Sequence, residues 1–381
     1  MVSVVSYAHF GSLTKLFRAV FQELKLPKDR IVQPKPPSKL TIEMGVKHSP
    51  EWMCTPFKIS LGSILESIEK GANHIFQIGG IGTCRASCYG PIQRVICKDL
   101  GYDVRFTNID YHNPLDMVKD FREVSNGLSF LQTIGAIRRI WVINYSIDLI
   151  ENLINFYRAV ELKRGTTDKV AEKAFEKLFE IRKIKDIKKY HKTIPKMFLD
   201  EVEIDDEIQP LKVGVIGEIY AVLEPTLHLD LYRRLAELGV ASRCGVSLKK
   251  FTDIPAKINP FKKEYYKVYR KEAQPYMKEY AGGDGQESIG TTIFLKKKGW
   301  DGMVHIWPFS CIPELSAQNI LPVVSKDWDM PVLPLVVDEQ TGVAGFQTRL
   351  EAFTDMLRLR RDERLAGKPP EKLTWETFNY D

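Results

Sequence analysis

Long apolar runs are missing from this chain. No stretch approaches the ~18–20 uninterrupted apolar residues of a membrane span. The longer ones, Val332–Val337 broken by Pro334 and Met303–Trp307 broken by His305, are strand-sized. The opening MVSVVSYAHFGSLTK has no basic leader region and no apolar segment ahead of a small-residue cleavage site. The reading therefore predicts no secretory signal, no membrane association and a cytoplasmic protein. A large charge excess is also missing: 55 Lys and Arg face 49 Asp and Glu, a net +6. That falls short of a dedicated nucleic-acid binder, and no nucleic-acid partner is expected. Cysteine is scarce, six in 381 residues with no CxxC pair, which disfavours a zinc ribbon or a thioredoxin-like centre. In a reducing compartment these six are not expected to form three disulfides; they are core thiols, metal ligands or a nucleophile. Neither GxxxxGK(S/T) nor GxGxxG occurs, so no ATPase signature is visible.

What remains is an ordinary globular composition, 44% hydrophobic and 27% charged, long enough to bury a large core without covalent staples. Strand-like and helix-like runs alternate through residues 1–125: strands at Val2–Tyr7, His74–Ile78 and Val104–Ile109, helices at Leu13–Leu24, Leu61–Lys70 and Ala86–Leu100. Such alternation implies βαβ units and a parallel sheet. Residues 126–207 differ. Helical spacing dominates through Ile134–Phe156 and Ala171–Ile184, and the acidic stretch Asp200–Glu207 reads as a linker. Between 151 and 200, 13 Lys and Arg face 8 Asp and Glu. The plain reading is a solvated helical face, the sharper one a docking surface for an acidic partner. Alternation resumes in 208–381, with strands at Lys212–Ile216, Ala241–Val246, Met303–Trp307 and Val332–Val337. Helices are expected there at Thr226–Leu238, Glu287–Lys298, Pro313–Leu321 and Gln347–Arg361. The expected fold is α/β: two Rossmann- or flavodoxin-like parallel-sheet domains, 1–125 and 208–381, with a helical segment between them.

Cys54, Cys84 and Cys311 each fall where a loop gives way to a helix. In a doubly wound sheet such junctions gather at the carboxyl edge of the strands, where ligands bind. A helix N-terminus also favours a thiolate. Three thiolates brought to one crevice would make a soft site suited to iron–sulfur or zinc. Cys88, four residues after Cys84, could face the same site, whereas Cys97, nine residues further on, points roughly the opposite way at ~100° per residue. Cys97 reads as core, and Cys244 sits near a strand end. Lys58 could reach back to Cys54, and Arg85 could pair with an anionic ligand or tune the charge of a centre. His305 reads as a satisfied core histidine. Glu314 complements the dipole of the helix after Cys311. Gly282-Gly283-Asp284-Gly285 could weakly cradle a phosphate.

Together these residues resemble a known family. Cys54-Thr-Pro56-Phe-Lys58, Gly71-Ala-Asn-His-Ile75, and Gly82-Thr-Cys84-Arg85 with Tyr89 are similar to the CxPxK, GAD-I and GPCR-x-x-x-Y pattern of the CoA protein activase or 2-hydroxyglutaryl-CoA dehydratase-related proteins. Val213–Pro225, Gly282–Ser288, His305-x-x-Pro308-Phe309-x-Cys311-x-Pro313-Glu314 and the stretch from Asp338 to Phe353 agree, and GGDG replaces the usual GGHG. The wider superfamily comprises 2-hydroxyacyl-CoA dehydratases, benzoyl-CoA reductases and double-cubane cluster proteins. The resemblance implies an iron–sulfur cofactor, a 4Fe-4S cluster on Cys54, Cys84 and Cys311, with a double-cubane 8Fe-9S centre as the alternative, and Arg85 and Lys58 beside it. It also implies a separate ATP-hydrolysing 4Fe-4S activator as electron donor, reduction or dehydration of a small substrate or CoA thioester, and a homo-oligomer or heterodimer. The alternative function is a non-catalytic electron carrier or scaffold for a partner enzyme.

Overall fold

The computed structural model describes residues 3–79, 84–109, 114–246, 265–280, 282–368 and 370–379. The Gly80–Thr83 part of the turn before Cys84 lies outside the described residues. The fold is α/β, with two separate parallel sheets. In the first, β1 (Val5–Ser6), β2 (His74–Ile78) and β3 (Arg105–Ile109) lie side by side in chain order. Its helices are α1 (Leu13–Glu23), α2 (Lys39–His48), α3 (Thr55–Glu69), α4 (Tyr89–Asp99) and α5 (Pro114–Val124). Three helices follow: α6 (Phe130–Tyr157), α7 (Thr166–Glu180) and α8 (Ile184–Glu201).

The second sheet contains β4 (Leu211–Gly217), β5 (Val240–Cys244), β6 (Gly302–Pro308) and β7 (Val332–Val337), in the order β5-β4-β6-β7. That is the flavodoxin-like order for its first four strands, and the order reverses between β4 and β6. Its helices are α9 (Ile219–Leu223), α10 (Leu231–Glu237), α11 (Tyr265–Ala273), α12 (Gly285–Lys297), α13 (Ile312–Asp327), α14 (Val343–Leu365) and α15 (Trp375–Phe378). β6 is buried along its whole length and β4 at all but Lys212, the near-continuous apolar reading of strands covered on both faces.

The long helix α6 joins the two halves. A reciprocal cap starts it: Ser129 Oγ accepts the Gln132 N–H and Gln132 accepts the Ser129 N–H. It is apolar around most of its circumference, as a helix enclosed by protein must be, and packs on α1, α7, α8, α10 and β5. One hydrophobic cluster therefore runs from Val5 and Phe76 through Ile140–Ile154 to Met303 and Trp300. The C-terminal α15 closes over it, with Phe378 fully buried against Phe156 and Trp300. The acidic stretch read as a linker is partly structured. α8 runs through Glu201, and the chain then hydrogen-bonds back, from Leu162 N–H to Glu203 O at 2.9 Å and from Asp205 N–H to Val160 O at 2.7 Å.

Several expected boundaries shift for local reasons. The helix expected from Thr226 begins only at Leu231, because Leu229 and Asp230 take left-handed conformations ahead of it. The helix whose apolar spacing reads at Leu61–Lys70 starts at Thr55, directly after Cys54 as the loop-to-helix reading of that cysteine expects. α2 escapes sequence reading because it follows a proline-rich loop, yet Ser38 and Thr41 cap each other at its start.

The halves also meet where the strands end. Beyond β1, His9 Nδ1 lies 2.8 Å from Glu224 Oε2, and Gly11 N–H donates to the same oxygen at 2.7 Å. The Tyr220 hydroxyl donates to His9 O at 3.1 Å. Burial alone would raise the Glu224 carboxyl, but these hydrogen bonds outweigh it and hold the group below its usual range. Gly11 has φ +42°, and a Cβ there would stand 1.7 Å from Leu223 O. Gly11→Ala is expected to force the halves apart, with a loss of at least about 1–3 kcal/mol in urea denaturation; an unchanged midpoint would contradict this packing.

A pH dependence follows from His74, 2% exposed between Ser3 Oγ and Thr107 Oγ1, each 2.7 Å away. Burial, then the charges of Arg105 and Arg30, lowers its pKa from 6.5 to about 4. The stability held by the neutral ring is thus full above pH ~6.5 and is lost as pH falls towards 4. His74→Gln should lessen acid destabilisation in that window by up to about 3 kcal/mol, measured as stability against pH. His228, also lowered to about 4, keeps its own share in the variant.

Candidate functional site: three thiols between two sheets

Each of the three cysteines is a helix cap residue. Cys54 precedes α3, Cys84 precedes the 3-10 turn Arg85–Cys88, and Cys311 precedes α13. In both longer cases a proline occupies the first turn, where its missing N–H costs nothing. Ser310, immediately before Cys311, adopts φ +65°, a left-handed conformation uncommon for a residue with a side chain. All six cysteines are free thiols.

The fold brings these three loops together. Arg85 is the tie: its guanidinium donates to Trp52 O, in the loop before Cys54, and at 2.6 Å to Ser310 O, in the loop before Cys311. Lys58 does not turn back to Cys54. Its ammonium pairs with Glu339 Oε1 at 2.6 Å, across to the loop after β7. Both sequence-selected cations therefore span the two halves.

The sulfurs share one electrostatic environment. Burial raises the Cys54 thiol, and the Tyr89 hydroxyl, 2.7 Å from the sulfur, lowers it; Glu218 raises it again and Arg85 lowers it. Burial pushes Cys84 up to about 11, with Glu218, Cys54 and Asp284 adding to the rise. Cys311 is raised further, by burial and then by Glu218, Glu314 and Cys84. The N–H groups of Phe57, Ala86 and Glu314 do favour the three thiolates, as expected of helix starts. Burial and the neighbouring acids outweigh them, so the net shift is opposite to the one the dipole alone suggests.

The sequence reading assigns Asp284 to the GGDG run and Glu314 to the dipole of α13, but it gives Glu218 and Glu287 no role beside the thiols. Burial raises Glu218 from 4.5 to about 7, and its Oε2 accepts the Ala221 N–H at 2.9 Å. Burial, then Glu287, Glu314 and Glu218, raises Asp284 well above its usual value. Burial also raises Glu287, which pairs with Arg270 at 2.6 Å. Glu314 Oε2 lies 2.7 Å from His305 Nε2 and accepts the Ser288 hydroxyl at 3.0 Å. His305 is fully buried and stacked on Trp307, as a satisfied core histidine would be. The GGDG glycines have a packing role. A Cβ on Gly283 would meet Pro313 Cγ at 2.8 Å, and one on Gly285 would meet Pro313 O at 2.3 Å, so α12 can start only where these residues are small.

The other cysteines separate. Cys97 is buried among Met53, Phe57 and Leu61. Cys88 is exposed, and Cys244 donates to Val246 O at the end of β5. Among the described residues no group of three or more His, Cys, Asp or Glu side chains is arranged to hold a metal ion. No helix among them is long and apolar enough to cross a membrane.

Residues 8–244 match the family model described as the CoA enzyme activase uncharacterised domain. The chain belongs to that family. The matched span includes Cys54, Cys84, Arg85, Tyr89 and Glu218, while Cys311 and Asp284 lie beyond it. The site of this CoA enzyme activase-family protein therefore draws on residues both inside and outside the matched region. No curated protein matches the chain.

Arg85→Ala removes the tie among the three loops. It should lower stability by about 1–3 kcal/mol and speed alkylation of the thiols by iodoacetamide. Unchanged alkylation would show that the loops hold together without it.

Proposed function

We propose that the protein carries a 4Fe-4S cluster on Cys54, Cys84 and Cys311, accepts low-potential electrons from an ATP-hydrolysing activator, and acts on a small substrate or CoA thioester by reduction or dehydration. The observation that carries this reading is that Arg85, next to Cys84, hydrogen-bonds to the loops before Cys54 and Cys311, so that three helix-capping thiols from both halves sit on tied loops. Membership of the CoA enzyme activase family supports the connection to CoA-linked chemistry.

Soft sulfur donors carried on separate loops are the ligand chemistry that an iron–sulfur centre takes. When bound, the cluster would supply single electrons and an iron able to take an oxygen ligand. The protein's own part is to enclose and orient. Arg85 ties the loops, Tyr89 shares a hydrogen bond with Cys54, and buried Met53 and Phe57, on either side of Cys54, belong to one hydrophobic cluster.

Anaerobic purification or reconstitution should yield about four iron and four sulfide per chain, against about eight iron for a double cubane. Cys54→Ala, Cys84→Ala and Cys311→Ala should each lower iron content, and Cys97→Ala should leave it intact. Full iron in any of the first three variants would remove that residue from the ligand set. ATP-dependent reduction of a small substrate with an activator present tests the catalytic part; its absence in an iron-loaded protein would leave an electron carrier.

A further inference from the structure

We propose that the exposed lysine row of α8 is a docking surface for an acidic protein, recognised through its carboxylates. This surface belongs to the helical segment and does not depend on the cluster reading.

Lys185, Lys188, Lys189 and Lys192 recur at i, i+3, i+4 and i+7, which puts them on one helix face about 10 Å long at ~1.5 Å per residue. All four are exposed. The opposite line of Ile187, Tyr190, Ile194 and Phe198 is buried, and α8 packs against α6 and α7. The charge of the molecule is concentrated here. From Arg182 to Lys192 six cations face the single Asp186, a net +5 out of the +6 of the whole chain. The rest of the chain is close to neutral.

Nothing in the fold neutralises the row. Among the described residues none of the four lysines forms an ion pair, whereas their neighbours are engaged: Lys173 with Glu201 at 2.7 Å, Lys196 with Asp200 at 2.9 Å, and Lys177 over the Tyr190 ring. Glu176 and Glu180 of α7 line a cleft with Arg18 and Arg182 instead. Lys183 and Lys185 stand at the positive end of the helix dipole, and the last turn holds no basic residue. Like charges at i,i+3 and i,i+4 repel. Anions from outside relieve that repulsion.

The surroundings of the row select among anions. A helix that lies on a membrane turns an apolar face to the lipid. Here the apolar line faces inward, and no large hydrophobic residue within 163–198 is exposed. A nucleic-acid surface adds groups that stack on bases or read their edges, over a wider basic footprint. A single lysine row on a near-neutral molecule offers neither. Ammonium groups on flexible stems meet the scattered carboxylates of a protein face, in a contact that salt weakens.

The test uses the full chain with fluorescein-labelled poly-L-glutamate as the probe, read by anisotropy across a potassium chloride series. A DNA duplex and phosphatidylserine vesicles are the comparison probes. K185E/K188E/K189E/K192E should lose at least about tenfold in affinity for polyglutamate at low salt, while K28E/K35E/K47E/K98E, an equal charge change on exposed lysines before α6, should stay within about twofold. K185Q/K188Q/K189Q/K192Q carries the test if the first variant fails to fold, and its thermal midpoint should equal or exceed that of the wild type. Equal losses in the row and control variants would show an effect of overall charge and overturn the proposal. A clearly lower midpoint in the glutamine variant would show that the lysines serve the fold and would also overturn it. Row-dependent binding that is tighter to the duplex or the vesicles would replace the acidic protein by that partner. A wild-type dimer in sedimentation that the row variant loses would replace it by a second copy of this chain.

Discussion

The contact between the ends of the two sheets is the constraint on which the site depends. Glu224, in the loop after α9, accepts hydrogen bonds from the first turn after β1, and Gly11 lets the two backbones touch. Lys58 with Glu339 and Arg85 with Ser310 repeat the same crossing. Each bond alone is modest, because folding exchanges protein–water for protein–protein hydrogen bonds. Together with the shared packing on α6, they fix the distance between loops that are otherwise far apart in sequence. The approach of the thiol-bearing loops is a by-product of that fixed distance.

Burial has opposite consequences at the two ends of this contact. At Glu224 the enclosed carboxylate is hydrogen-bonded and therefore stays ionised. At Glu218 and Asp284 enclosure outweighs the available hydrogen bonds, and the charged forms are disfavoured. One seam thus contains a satisfied acid that holds the halves together and under-compensated acids beside the sulfurs. Perturbed groups of the second kind are where function concentrates.

Much of this was legible in the sequence. The strands His74–Ile78 and Val332–Val337 were read to the residue because each is a short β-rich run with clear turn signals. The three cysteines were picked out by their place at loop-to-helix junctions, and Cys97 was placed in the core by helical angle alone. The acids were not legible. Glu218 looks like an ordinary helix-start residue and Asp284 stands out only as a departure from GGHG; the crossing of β4 with β6 and the approach of α12 to Pro313 reveal what surrounds them. Lys58 was misdirected for a related reason. Four residues of helix bring it near Cys54 in sequence, but its partner Glu339 belongs to the other half, 281 positions away by number. Local spacing shows which side chains share a face and nothing about what the opposite half presents to them.

The division of the sulfurs between the halves has one further consequence. Two come from the segment before α6 and one from the segment after β6, so neither half alone carries the set. A small rotation about the seam would change both spacings from Cys311 at once, while leaving that between Cys54 and Cys84 as it is and each half internally unstrained. Such an arrangement works like the jaws of a caliper. Anything that grips both halves from outside, even far from the thiols, would adjust the opening between them.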